Sequence, residues 1–196
     1  MKTRLLTAPT VEPVTLTQAK LHCRVDSTDE DLLFNEIIIP GARDECESFL
    51  KRSVMLKTWL ATLDAFPDDA IALPWPNLLE VDSVTYRDPV GTWVTLDPSV
   101  YTVGLASSRV TLAAGQSWPA ISSEPESVKV TYKAGYATGD ATAQRAAVPP
   151  AIKHWMLLRI GTAYLHRDEL IVGTIVSQLP GRFVDGLLDA EKVWEF

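Results

Sequence analysis

Over residues 26–53, DSTDEDLLFNEIIIPGARDECESFLKRS, apolar positions recur with the 3.6-residue period of a helix. At about 100° per residue, Leu32, Ile38, Ile39, Ala42, Cys46, Phe49 and Leu50 share one stripe. Glu36, Arg43, Asp44, Glu47 and Lys51 fall on the opposite side. Leu33, Phe34 and Ile37 make the first half apolar nearly all round, more than one small domain needs to cover. Ser27 and Glu30 have capping-box spacing, and Asp29, Glu30 and Asp31 suit the positive end of the helix dipole. Pro40 removes the hydrogen bond to the Glu36 carbonyl, which predicts a kink there. Upstream, Thr15 and Gln18 form a second capping box for a helix to about Arg24, with Leu16, Ala19 and Cys23 on one face. The two helices read as a hairpin, preceded by an extended arm over residues 1–14.

At Ser53 the period changes from 3.6 to 2. Residues 56–63 set Trp59, Ala61 and Leu63 against Lys57, Thr58 and Thr62, a strand pattern. Short strand candidates follow at 71–73, around Val81, Val84 and Tyr86, and at 92–96, 100–103 and 109–112. Residues 127–133 alternate cleanly, with Val128, Val130 and Tyr132 on one face. Six or seven such strands punctuated by Pro and Gly describe a small antiparallel sandwich or barrel.

Residues 133–147, rich in Ala, Gly and Thr, read as a flexible connector. Pro149 and Pro150 then open a helix that runs to about Glu169, apolar on most sides, which must pack on the first long helix. After an apolar loop at 170–179, Phe183, Leu187, Ala190 and Trp194 form a stripe along a last helix. The expected fold is therefore α+β. A mainly helical domain, residues 1–54 plus 137–196, carries an inserted small antiparallel β domain over residues 55–136.

Composition narrows the function. The 196 residues are 46% hydrophobic and 22% charged, ordinary for a soluble globular chain. No apolar run approaches the roughly 20 residues of a membrane span, and the N-terminus has no apolar core of a secretory signal. A net charge of −7 argues against a general grip on nucleic acid. Cys23 and Cys46 sit in apolar helix patterns and read as unbridged, buried thiols. The three histidines have no metal spacing, and the chain contains no G-x-S-x-G, no H-E-x-x-H and no P-loop. Neither an enzyme nor a cofactor is expected. Trp59, Trp75, Trp93 and Trp118 leave one alternative, a non-enzymatic module presenting tryptophans to a glycan or a protein.

The order of these pieces resembles the head–tail connector (adaptor, or head-completion) proteins of long-tailed bacteriophages and gene transfer particles. The matching stretches are TLTQAKLHCRVDSTDEDLLFNEIIIPGARDECESFLKRSV (15–54), IALPWPNLLEVDSVTYRD (71–88), LDPSVYTV (96–103), SVKVTYKAGYA (127–137) and VPPAIKHWMLLRIGTAYLHRDE (148–169). Pro40 and the terminal LLDAEKVWEF depart from the pattern, since family members often end in a basic segment. The resemblance implies a structural protein of the virion neck. It would form a twelve-fold homo-oligomeric ring below the portal protein, bind the next tail-completion (stopper) protein, and extend a channel through which double-stranded DNA passes. In that setting Phe183, Leu187, Ala190 and Trp194 are candidates for docking on the portal, and Leu33, Phe34 and Ile37 for subunit contact.

Overall fold

The computed structural model describes residues 1–166 and 184–192. Its chain divides into two units, residues 1–10 with 55–138 and residues 11–54 with 139–196. Residues 1–10 of the arm assigned above to the helical domain thus belong with the strands. Lys2–Thr7 is strand β1, hydrogen-bonded along Lys57–Leu63, strand β2.

The β unit continues with β3 (Ala70–Ala72), β4 (Leu78–Arg87), β5 (Trp93–Thr95), β6 (Tyr101–Gly104), β7 (Arg109–Leu112) and β8 (Val128–Ala134). All pairings are antiparallel, in a five-stranded sheet ordered β1-β2-β8-β4-β5 and a three-stranded sheet ordered β3-β7-β6. The class is α+β, but two sheets of this size are more than a small insertion on a helical domain. Alternation places Val128, Val130, Tyr132 and Ala134 inward from β8, and Trp59 and Ala61 from β2. Ile71, Leu73, Leu78, Val84, Leu96 and Val110 complete this core. Lys57 shares the inward parity of Trp59 and is buried, with its ammonium 5.9 Å from the indole, so its assignment to the outer face is corrected. At Gly135, with φ of 154°, a Cβ would lie 2.9 Å from the Met55 carbonyl group, so only glycine fits.

In the helical unit, Thr15 caps α1 (Leu16–Cys23) in a complete capping box with Gln18. The long helix begins later than expected. Ser27 Oγ bonds Asp29 instead of capping, and the helix runs as α2 (Asp31–Leu33), a π-helical turn (Phe34–Ile38) and α3 (Ile39–Leu50). The π turn replaces the expected Pro40 kink. Pro40 has no N–H, and widening the ladder lets the Ile39 N–H reach the Phe34 carbonyl just before it. A π turn adds about one residue to the helix and so rotates what precedes it by about 100°. Phe34 therefore points into the core, stacked on Tyr164 at 5.0 Å, while Leu32 is 71% exposed. C-terminal to the turn, Ile39, Ala42, Cys46 and Leu50 are buried as the stripe predicts.

The connector is partly helical. Asp140 accepts a hydrogen bond from the Ala143 N–H and starts α4 (Ala141–Ala147), followed by α5 (Pro150–Leu165), which buries Ile152, Trp155, Met156 and Ile160. Gly161 lets α1 approach closely, since a Cβ there would stand 3.2 Å from His22 Nε2.

Arg43 and Glu47, placed above on the solvent side, are buried. The segment after β1 brings Glu12 over α3, and Arg43 Nε donates to Glu12 Oε2 at 2.8 Å. Arg43 Nη1 donates to Asp44 Oδ1 at 2.8 Å and lies 3.9 Å from Glu47 Oε2. Glu47 Oε1 accepts from the Val54 N–H at 2.9 Å, and Arg145 Nε donates to the Glu12 carbonyl at 3.0 Å. Burial raises the Glu12 carboxyl, with the Arg43 hydrogen bond acting against it.

Two predictions follow from this architecture. Joining 11–54 to 139–196 through a short Gly/Ser linker, with both strand segments removed, is expected to leave a soluble helical protein by circular dichroism. Loss of all helical signal would show that the units cannot fold apart. The second concerns Cys46, fully buried, whose thiol is pushed from its ordinary 9.0 up to about 12, chiefly by burial and then by Glu47 and Glu45. Between these values the unfolded chain has released a proton that the folded chain keeps, so stability falls as pH rises from 9 towards 12. The slope from this group is at most about 1.4 kcal/mol per pH unit. Urea melts of the wild type and Cys46→Ala across that window are expected to diverge, the variant declining less.

Candidate assembly surface

The helical unit holds an open groove of about 410 Å³, lined by Leu33, Ile37, Ile38, Gly41, Ala42, Glu45, Arg159, Ala163 and His166. Its existence follows from the π turn, which sets Leu33 half-buried at the rim and leaves Ile37 64% exposed. Phe34, the third subunit-contact candidate, is instead fully buried and unavailable to a partner. Tyr164 Oη donates to Glu30 Oε2 at 2.6 Å, and Lys20 Nζ meets Asp31 Oδ1 at 2.6 Å, so α1, α2 and the end of α5 are fastened around Phe34. Leu21, Leu32 and Leu165, on these same elements, are exposed. Periodicity places Leu32 on the core stripe because a kink at Pro40 keeps the 3.6 period that the π turn breaks, while Leu21 and Leu165, outside any stripe, carry no signal.

Of the docking candidates on the C-terminal segment, Phe183 and Trp194 lie outside the described residues. Between them, a 3₁₀ turn at Gly186–Leu188 changes the register. Leu188 is fully buried, Leu187 is half-buried and Ala190 is exposed. The segment is fastened to its own helices. Trp155 Nε1 donates to Asp185 Oδ1 at 3.2 Å, Arg159 Nη2 lies 3.3 Å from the same oxygen, and Arg52 Nη1 lies 3.4 Å from Glu191 Oε2. Lys192 Nζ sits 4.6 Å from the Phe49 ring centroid. Its unit-facing side is thus occupied, and Leu187 and Ala190 remain for anything outside.

The tryptophans of the β unit are largely spent internally. Trp59 and Trp75 stack at 5.0 Å, Trp118 stacks on Phe66 at 4.6 Å, and its indole N–H donates to the Pro67 carbonyl. Trp93 is the more open one, with Lys129 Nζ 4.0 Å from its centroid and Arg87 beside it. A flat row of indoles for a sugar is therefore not formed. Among the described residues no group of three His, Cys, Asp or Glu side chains could hold a metal, and no helix is long and apolar enough to cross a membrane.

No protein-family model and no curated protein sequence matches this chain. Solved structures do. A protein from the neck of an empty gene transfer agent (GTA) particle with C6 symmetry superposes with a TM-score of 0.78 at 18% identity, over 100% of this chain and 97% of that one. A component of the native GTA virion gives 0.76 at 16% identity, and one from the native GTA neck with C12 symmetry gives 0.72 at 16%, with the same coverage. This chain therefore has the α+β fold of these gene transfer agent neck and virion chains, the class that the sequence resemblance indicated.

The surface reading has a direct check. Ile37→Asp is expected to shift stability by no more than about 0.5 kcal/mol, as for other exposed positions. Phe34→Ala, which empties a buried ring site, is expected to cost about 3–5 kcal/mol in urea melts. Equal costs at the two positions would show that the π turn does not set the inward residue.

Proposed function

We propose that this protein is a non-enzymatic structural component of a virion neck. It forms a homo-oligomeric ring, twelve-fold in the particle, below the portal protein, with the stopper protein on its far side and double-stranded DNA passing through. The observation that carries the reading is the likeness to neck proteins over 100% of this chain and 97% of theirs. Three further features support it. Each of α1, α2, the π turn and α5 exposes a large apolar side chain (Leu21, Leu32, Ile37 and Leu165), material for a subunit contact. A subunit of charge −7 repels phosphates, which lets DNA slide without sticking. Trp59, Trp75 and Trp118 stack on other rings and Trp93 alone of the four is exposed, which does not make the platform a glycan-binding module would use.

Portal docking is assigned to the C-terminal segment, through the outward Leu187 and Ala190 together with Phe183 and Trp194. Leu187→Asp and Leu188→Asp separate docking from folding. The first is expected to leave the melting curve nearly unchanged and to abolish attachment to DNA-filled heads. The second, which buries a charge, is expected to lower stability by several kcal/mol. Attachment retained by Leu187→Asp would place docking elsewhere. Sizing and negative-stain imaging of the wild type, alone and with purified portal, test the ring itself. A monomer that ignores the portal would overturn the reading.

A further inference from the structure

Strand β1 is unusual in that all six of its residues are exposed, although it is paired along its length with β2. It adds nothing to the core of its own sheet. It carries Lys2 and Arg4 on one face and exposes Leu5 and Leu6. Lys2 has a loose, solvent-exposed partner in Glu126 at 3.4 Å. No ion pair to Arg4 occurs among the described residues.

The groove between the π turn and α5 has the opposite character. Its apolar lining is Leu33, Ile37, Ile38, Ala42 and Ala163. Its one lining guanidinium, Arg159, is already held between Glu45 Oε1 at 3.5 Å and Asp185 Oδ1 at 3.3 Å. Glu36, beside Ile37, is exposed. The charge left for an incoming group is therefore negative. Among the described residues Arg4 on the strand and Ile37 and Glu45 in the groove, with Glu36 next to Ile37 in the chain, are all exposed.

Resting on the ring reading above, we infer that the β1 strand of one subunit seats its Leu5–Leu6 apolar edge in the π-turn groove of the next, with Arg4 facing Glu36 and Glu45. The contact joins two different patches, so it is heterologous, the kind that generates a closed ring when the rotation per subunit divides a full turn. Opposite charge at its rim sets register and speeds encounter, while the apolar lining gives the contact its residence time.

The experiment is a charge reversal read by sizing and negative-stain imaging. Arg4→Glu is expected to raise the concentration needed for ring assembly by about tenfold or more. Its melting curve is expected to match the wild type, since the residue is exposed. Adding Glu45→Lys to Arg4→Glu is expected to restore assembly. Mixing Leu5→Cys protein with Ile37→Cys protein under mild oxidation is expected to yield a disulfide-linked pair containing one of each. Wild-type rings with unaltered Arg4→Glu assembly, or failure of Glu45→Lys to restore it, would overturn the inference and leave the ring reading standing. A wild type that forms no ring alone or with portal would overturn both.

Discussion

The buried guanidinium of Arg43 is the constraint on which the helical unit depends. It lies between Glu12 and Asp44 with Glu47 a turn further on, and the same cluster reaches Val54 through Glu47 and α4 through Arg145 and the Glu12 carbonyl. These contacts fall where the chain enters the unit near residue 11, leaves it near 54 and returns near 139. One charged centre thus ties the start, the exit and the re-entry to α3. Burying several charges has a large desolvation cost, and an apolar replacement of equal shape is often no less stable. What an apolar cluster lacks is direction. A guanidinium offers donors in a fixed fork, so it holds its partners at set angles, and removing one partner leaves a buried charge uncompensated.

Pro40 exerts a second, more local control. In an α-helix it would leave the Glu36 carbonyl without its donor, and the π turn over Phe34–Ile38 absorbs that defect. The geometric consequence is larger than the defect. The added residue turns Phe34 inward and Leu32 and Ile37 outward, which seals the top of the core and opens the groove. A single ring nitrogen thus decides which apolar residues are core and which are surface.

This explains how much of the molecule was legible in its sequence. Strands β2 to β8 were readable wherever period-2 alternation met a turn, and α1 and α5 wherever a cap or a proline marked the start. The order of pieces also pointed to the neck-protein fold. Strand β1 was missed because none of its residues is buried, so its sequence carries no inward alternation. Helix α4 was missed because Ala and Thr without an apolar stripe look like linker, although Asp140 caps it. Arg43 and Glu47 were placed outside because a helix pattern cannot show that a distant segment, here Glu12, lies across the polar face. The burial of Leu188, which falls on no 3.6-period stripe, comes from a 3₁₀ turn of tighter pitch. In each case the missing information was tertiary or a change of helical pitch.

On the proposed assembly, the modest size of the groove is an advantage. A heterologous contact that closes into a ring is used by every subunit twice, once through each patch. In an open chain the end subunits have one contact each. The last contact is made between ends already held near each other, so it forms at a high effective concentration. A contact too weak to hold a pair at cellular concentration can therefore hold a closed ring. A stronger apolar patch would stabilise open chains as well and lead to filaments. A few aliphatic side chains beside a small unbalanced charge, reached by a short cationic strand, give an interface of the required weakness. On that reading the apolar groove of an acidic subunit serves assembly and is not a defect of the monomer.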